Sequence, residues 1–256
     1  MIRMPDRRSA WLLALGLTAI AFQTSPLANH SWNGYHWART GNPFTVSLGD
    51  NVSSTWKYYL NIASSDWDQS TVLNTAVVAG AAKRNCRPTS GRVEVCNSAY
   101  GSNGWLGVAQ IWVSGSHITQ GTVKLNDTYF ETSKYNKPEW RQLVTCQEVG
   151  HTFGLDHQDE NFSNANLGTC MDYTNDPLGP PANTDPNKHD YDELVAIYSH
   201  TDTFNTVGAT AKSPAAALDN PSEWGQLMKV SHGGKTQVFE RDFGNGLRVV
   251  TFVIWA

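Results

Sequence analysis

The segment Cys146-Gln-Glu-Val-Gly-His-Thr-Phe-Gly-Leu-Asp-His157 constrains this chain more than any other. Gln147 and His151 stand four apart, so in a helix they share one face and can point at one ion. Glu148 lies at the edge of that face, where a carboxylate can hold a water. Gly154, three residues past His151, can end the helix in a left-handed conformation. The chain then turns, and His157 can swing back toward the other two. Three ligating side chains with a fourth position open to water are what a catalytic zinc site needs. Zinc lowers the pKa of bound water to about 7, and a neighbouring carboxylate can take its proton.

The flanking sequence reads as helix. Pro138 suits a first turn, Glu139 suits its positive end, and Leu143, Cys146, Val149, Gly150 and Phe153 repeat at three- and four-residue steps over 138–153. Before it, 44–48 alternates apolar and polar as a strand. Residues 56–73 place Trp56, Tyr59, Leu60, Ala63 and Trp67 on one helical face, with Ser53 and Ser54 as expected caps. Residues 85–104 read as loop or a stapled hairpin, and 105–113 and 121–125 as strands. After an irregular stretch over 158–187, Leu194, Ile197 and Tyr198 share a face of a helix expected over 191–200. The order is that of an α+β domain.

Gln147-Glu-x-x-His151-x-x-Gly154-x-x-His157 resembles the extended zinc motif of the metzincin metalloproteases, with glutamine where the first histidine stands. Leu167-Gly-Thr-Cys-Met-Asp-Tyr173 is similar to the family's methionine turn, which makes Met171 the methionine beneath the metal. Tyr173 matches a tyrosine that some subfamilies place near the metal, as ligand or oxyanion stabiliser. The likeness runs over about 40–202 and includes a matrixin-like C-terminal helix at 190–198. It implies a twisted, mostly parallel sheet with an antiparallel edge strand, an active-site helix, the methionine turn and a C-terminal helix. It also implies a strand that holds substrate by β-addition, here Val108, Ala109, Gln110, Ile111 and Trp112.

The function so implied is endopeptidase action on protein or peptide substrates. Zn2+ is held by Gln147, His151 and His157, Glu148 serves as general base, and Tyr173 faces the oxyanion. A glutamine amide oxygen is a weaker zinc ligand than imidazole. Three readings follow: Gln147 ligates, Tyr173 replaces it, or the chain keeps the fold as a non-catalytic, peptide-binding pseudoenzyme. The retained Glu148, histidines, glycine and methionine favour an active site. Calcium is a second candidate cation, at the acidic run 156–160 and the Asn and Asp residues after it, although the spacing matches no known loop.

The remaining features set context. Arg3, Arg7 and Arg8 precede an uncharged apolar run over 11–22, too short to span a bilayer, so 1–28 reads as an export signal and the mature protein as extracellular without a membrane anchor. Four cysteines in an exported chain favour disulfides. Of three connectivities, short-loop closure favours Cys86–Cys96 and Cys146–Cys170. With net charge -4 and no basic block, nucleic acid is an unsuited partner. The 40% hydrophobic and 16% charged composition suits a packed domain, taken as 29–203. Residues 204–256 read as a linker over 208–214 and a C-terminal β extension with a hairpin at Gly244-Asn-Gly. Ten tryptophans fit a core and cleft wall; a carbohydrate-stacking surface is the rival. His30, His36, His117, His189, His200 and His232 read individually as ordinary surface or core residues.

Overall fold

A computed structural model describes residues 29–81, 85–210, 218–231 and 233–256. The expected export signal at 1–28, positions 211–214 of the expected linker and His232 lie outside the described residues.

In chain order the elements are β1 (His36–Trp37), β2 (Phe44–Asn51), α1 (Ser54–Trp67), β3 (Leu73–Ala79), β4 (Val93–Ser98), β5 (Trp105–Ser114), β6 (His117–Asn126), a single turn α2 (Asp127–Phe130), α3 (Pro138–His151), α4 (Lys188–Ile197), β7 (Gln226–Val230), β8 (Thr236–Gly244) and β9 (Leu247–Trp255). Two helices differ from what their periodicity suggests. Helix α1 stops at Trp67, because the chain reverses at 68–72 and Leu73 enters β3. Helix α4 begins three residues early, where Asn187 and Asp190 form a reciprocal capping box. Ser53 occupies the N-cap of α1 but makes no side-chain cap bond; its backbone N–H donates to Asn97 Oδ1 at 2.7 Å.

The strands form one sheet in the order β3-β2-β4-β6-β5-β9-β8-β7, with β1 beside β6. The β3-β2-β4-β6 half and the β1–β6 pair are parallel, and every pairing from β6 through β5, β9 and β8 to β7 is antiparallel. This corrects the expected topology. Strand β5 is not an edge, because β9 adds antiparallel along it from Trp105↔Trp255 to Ser114↔Leu247. The C-terminal strands continue the main sheet instead of hanging from it. Pairing β9 satisfies a row of β5 backbone groups and removes an exposed edge.

Helices α1 and α3 pack on the sheet around Trp37, Trp56, Trp67, Val123, Leu143, Val149 and Phe153. A smaller cluster joins Trp105, Val108 and Trp112 of β5 to Leu218, Trp224, Val249 and Val253. Phe252, Val250 and Ile254 face the main core, so β9 is buried on both sides. No tryptophan among the described residues is exposed, which removes the carbohydrate-stacking surface. No described helix is long and apolar enough to cross a membrane.

Candidate active site

The motif residues are assembled by α3 and the chain just after it. Helix α3 starts on Pro138 and ends at His151, and Thr152 takes the C-cap position. Gly154 has φ +94°, and a Cβ there would lie 2.0 Å from the Tyr35 carbonyl, so only glycine fits the turn. The turn leads back to His157, whose ring centroid lies 4.4 Å from that of His151. The Gln158 N–H donates to the Met171 carbonyl at 2.7 Å, which fastens this return segment to the 167–173 turn.

That turn lies beneath the helix. Met171 is fully buried, and a Cβ on Gly150 would come within 2.8 Å of its sulfur and 2.6 Å of the Trp67 ring. Cys146 is bonded to Cys170, one residue before Met171, and Cys86 to Cys96. Both local pairings are therefore formed.

Gln147 Nε2 donates to the Cys170 carbonyl at 2.8 Å. Its Oε1 is buried with no hydrogen-bond partner among the described residues, and so is Glu148 Oε2. His151 Nδ1 lies 2.9 Å from the Leu155 carbonyl; donation there leaves Nε2 as the lone-pair nitrogen. Tyr173 Oη bonds the imidazole of His157, with Nδ1 at 3.1 Å and Nε2 closer. All five side chains are buried, none above 6% exposure, and the rings of His151, His157 and Tyr173 contact one another in sequence.

Burial governs their protonation. It raises the Glu148 pKa well above the carboxylate range, opposed in part by the Ala109 backbone N–H. Burial first, and then the charge of His157, lowers His151 well below the usual imidazole value. Tyr173 is pushed far up by burial, so its hydroxyl stays protonated.

The strand residues expected to receive substrate are not open. Val108 pairs with Val253, Ala109 with Phe252, Gln110 with Thr251, Ile111 with Val250 and Trp112 with Val249. The Phe252 ring stacks on His151 at 4.3 Å with 5° between planes. Thr236 of β8 lies close enough to the Tyr173 hydroxyl to oppose part of its rise. Lys229 of β7 reaches Asp156 Oδ2 at 2.6 Å and Glu160 Oε1 at 2.8 Å. The acidic run considered for calcium thus has a lysine partner at two of its three carboxylates, Asp156 and Glu160. Burial works against the charge of Asp156, but bonds and charge from His157 and Lys229 outweigh it and hold the carboxyl low.

Sequence reasoning missed these three contacts because their partners lie far apart in the chain. One signal was available: Val249, Val250, Phe252, Val253 and Ile254 are apolar at both parities, the mark of a strand buried on both faces. A second miss concerns His36, His117 and His200, read singly as ordinary. Their rings meet, with centroids 4.9 Å apart for His36–His117 and 4.6 Å for His36–His200.

No protein-family model matches the chain, and no curated protein matches it. Among solved structures it aligns with that of myroilysin at 9% identity and TM-score 0.36, covering 64% of this chain and 97% of that one. It also aligns with high choriolytic enzyme 1, a hatching enzyme zinc-protease from Oryzias latipes (medaka fish), at 10% identity and TM-score 0.33, covering 71% and 98%. Both are distant likenesses that do not fix a family.

Proposed function

We propose that this chain is an exported zinc-dependent endopeptidase of the metzincin type, held latent in this conformation by its own C-terminal strands. The observation that carries the reading is the buried, partnerless Oε1 of Gln147, on the same helix as His151, whose ring lies against that of His157. An amide oxygen buried without a partner costs roughly 1–3 kcal/mol, and a cation beside it offsets that cost. The donor set fits zinc: one amide oxygen and two imidazoles, with the Gln147 amide group and the His151 ring each fixed by a backbone carbonyl. Zinc supplies Lewis-acid polarisation of the scissile carbonyl and an acidified water.

The chain's own residues do the rest. Glu148 takes the proton of the attacking water and delivers it to the leaving amine. In the closed form burial raises the Glu148 pKa and so disfavours its charged form. Solvent entering with substrate relieves that burial, so opening the cleft also favours the charged base. The Tyr173 hydroxyl, kept protonated by burial, is a donor for the developing oxyanion. Substrate takes the place beside β5 that β9 holds in this structure.

A specific protease site introduced after Thr210 allows the folded full chain to be nicked and the C-terminal fragment washed off in mild denaturant. Hydrolysis of an unfolded protein should appear only after nicking, require zinc, and fall at least about 10³-fold in Glu148→Gln, the range for loss of a catalytic proton carrier. An equally active Glu148→Gln chain would sink the reading. A zinc-loaded, opened chain without activity would favour the peptide-binding pseudoenzyme, and Gln147→His would then test whether the ligand is the defect.

A further inference from the structure

A second constellation shares no residue with the candidate active site. His36 lies in β1 and His117 at the start of β6, and the two are register partners. His200 and Asp202 follow α4, where the Asp202 N–H donates to the Arg39 carbonyl at 2.9 Å. Three separate stretches of chain therefore bring their side chains to one point.

The polar atoms at that point are three Nε2 nitrogens and one carboxylate oxygen. Asp202 Oδ1 lies 3.1 Å from His117 Nε2, 3.7 Å from His36 Nε2 and 3.9 Å from His200 Nε2. His36 Nε2 and His200 Nε2 are 3.1 Å apart. A tetrahedral zinc ion with ligands at about 2.0–2.1 Å sets its ligands about 3.3–3.4 Å from one another. The separations among His36, His200 and Asp202 scatter around that edge length, while His117 touches the carboxylate oxygen from outside that group.

The surrounding bonds aim these atoms inward. His36 Nδ1 is 2.7 Å from the Gly34 carbonyl, so it carries the ring proton and leaves the Nε2 lone pair facing the cluster. Arg39 Nη1 and its backbone N–H hold Asp202 Oδ2 at 3.0 and 3.2 Å, leaving Oδ1 for the imidazoles. His36 is 5% exposed, so its lone pair and the neighbouring carboxylate oxygen face each other away from water. Each acceptor takes either an N–H, from His200 Nε2 for His36 and from His117 Nε2 for Asp202, or a cation set between them.

We propose that His36, His200 and Asp202 hold a zinc ion, with His117 bonded to the same carboxylate oxygen. Three protein ligands leave one position of a tetrahedral ion to water. The ion would clasp the N-terminal strand to the chain leaving α4, just before the C-terminal strands begin.

The test is elemental analysis of the full-length chain, purified and equilibrated with zinc, beside His117→Ala/His200→Ala. His200 is the most exposed of the ligands and His117 the imidazole bonded to their carboxylate, with side chains 51% and 23% accessible. The double variant should hold one zinc fewer per chain than the parent, whether or not Gln147, His151 and His157 also bind an ion, while its circular dichroism is retained. Equal zinc content in parent and variant overturns the proposal. If the double variant is not recovered folded, His200→Gln in chelator competition should weaken one zinc by at least about tenfold, the scale on which the surroundings of a metal tune its affinity. Unchanged affinity there overturns it as well.

Discussion

Gln147 and Asp66 show how much depends on where a single polar group is buried. Gln147 splits its amide between the Cys170 carbonyl and an unpartnered oxygen, a geometry that follows from the methionine turn lying under α3. The Gln-Glu-x-x-His spacing makes the shared helix face legible, but not which end of the amide points at the site. Asp66 on α1 carried no sequence signal. Burial first, then the charge and hydrogen bonding of Asp185, push its carboxyl up to about 6. The folded state therefore holds this proton more tightly than the unfolded chain. The associated stability is complete below the ordinary carboxylate pKa of about 4 and is lost as pH rises through about 6. Asp66→Asn should accordingly be more stable than the parent at pH 8 by about 1 kcal/mol, a figure discounted for partial solvent access. At pH 4 the advantage should vanish. Urea midpoints at the two pH values decide it, and an advantage at pH 4 alone would contradict the assignment.

The elements divide by how local their causes are. Helix α3, strands β5 and β6 and the turn at Asn245–Gly246 follow from periodicity and turn chemistry, and they stand within a few residues of where the sequence puts them. The partner of β5 does not follow. An antiparallel strand can be supplied by substrate or by the chain itself, and the local sequence of β5 is the same in either case. Here β9 fills the place, and Phe252 seals it over His151. Phe252→Ala removes the stacked ring and should cost about 3–5 kcal/mol of packing. Much of that loss falls on the docked C-terminal strands, so the un-nicked variant should cleave a quenched fluorescent peptide at least about tenfold faster than the parent, the factor that 1.4 kcal/mol supplies. A variant as silent as the parent, in a chain that nicking activates, would show that the backbone ladder alone keeps the cleft shut.

Across the whole molecule, the cross-links set how far the site can loosen. Cys146 and Cys170 are 24 residues apart, and their bond ties α3 to the turn carrying Met171 and Tyr173. Replacing both with alanine should lower stability by about 3 kcal/mol through the freed loop in the unfolded chain, read from the urea midpoint of the folded chain. An unchanged midpoint would mean that Met171 packing and the Gln158–Met171 bond already fix the turn. The sequence by itself determined the local chemistry: the helix face shared by Gln147 and His151, the glycine that returns His157, the methionine turn and the short-range disulfides. The helix face and the glycine turn depend on residues a few positions apart, where backbone geometry leaves little choice, and the disulfides on loops of 10 and 24 residues that close easily. Only the tertiary structure decided that β9 lies along β5, that Lys229 pairs with Asp156 and Glu160, and that three histidines meet Asp202. Those contacts join segments tens to more than a hundred residues apart. No periodicity encodes such meetings; they arise when the sheet closes and buried polar groups must find partners.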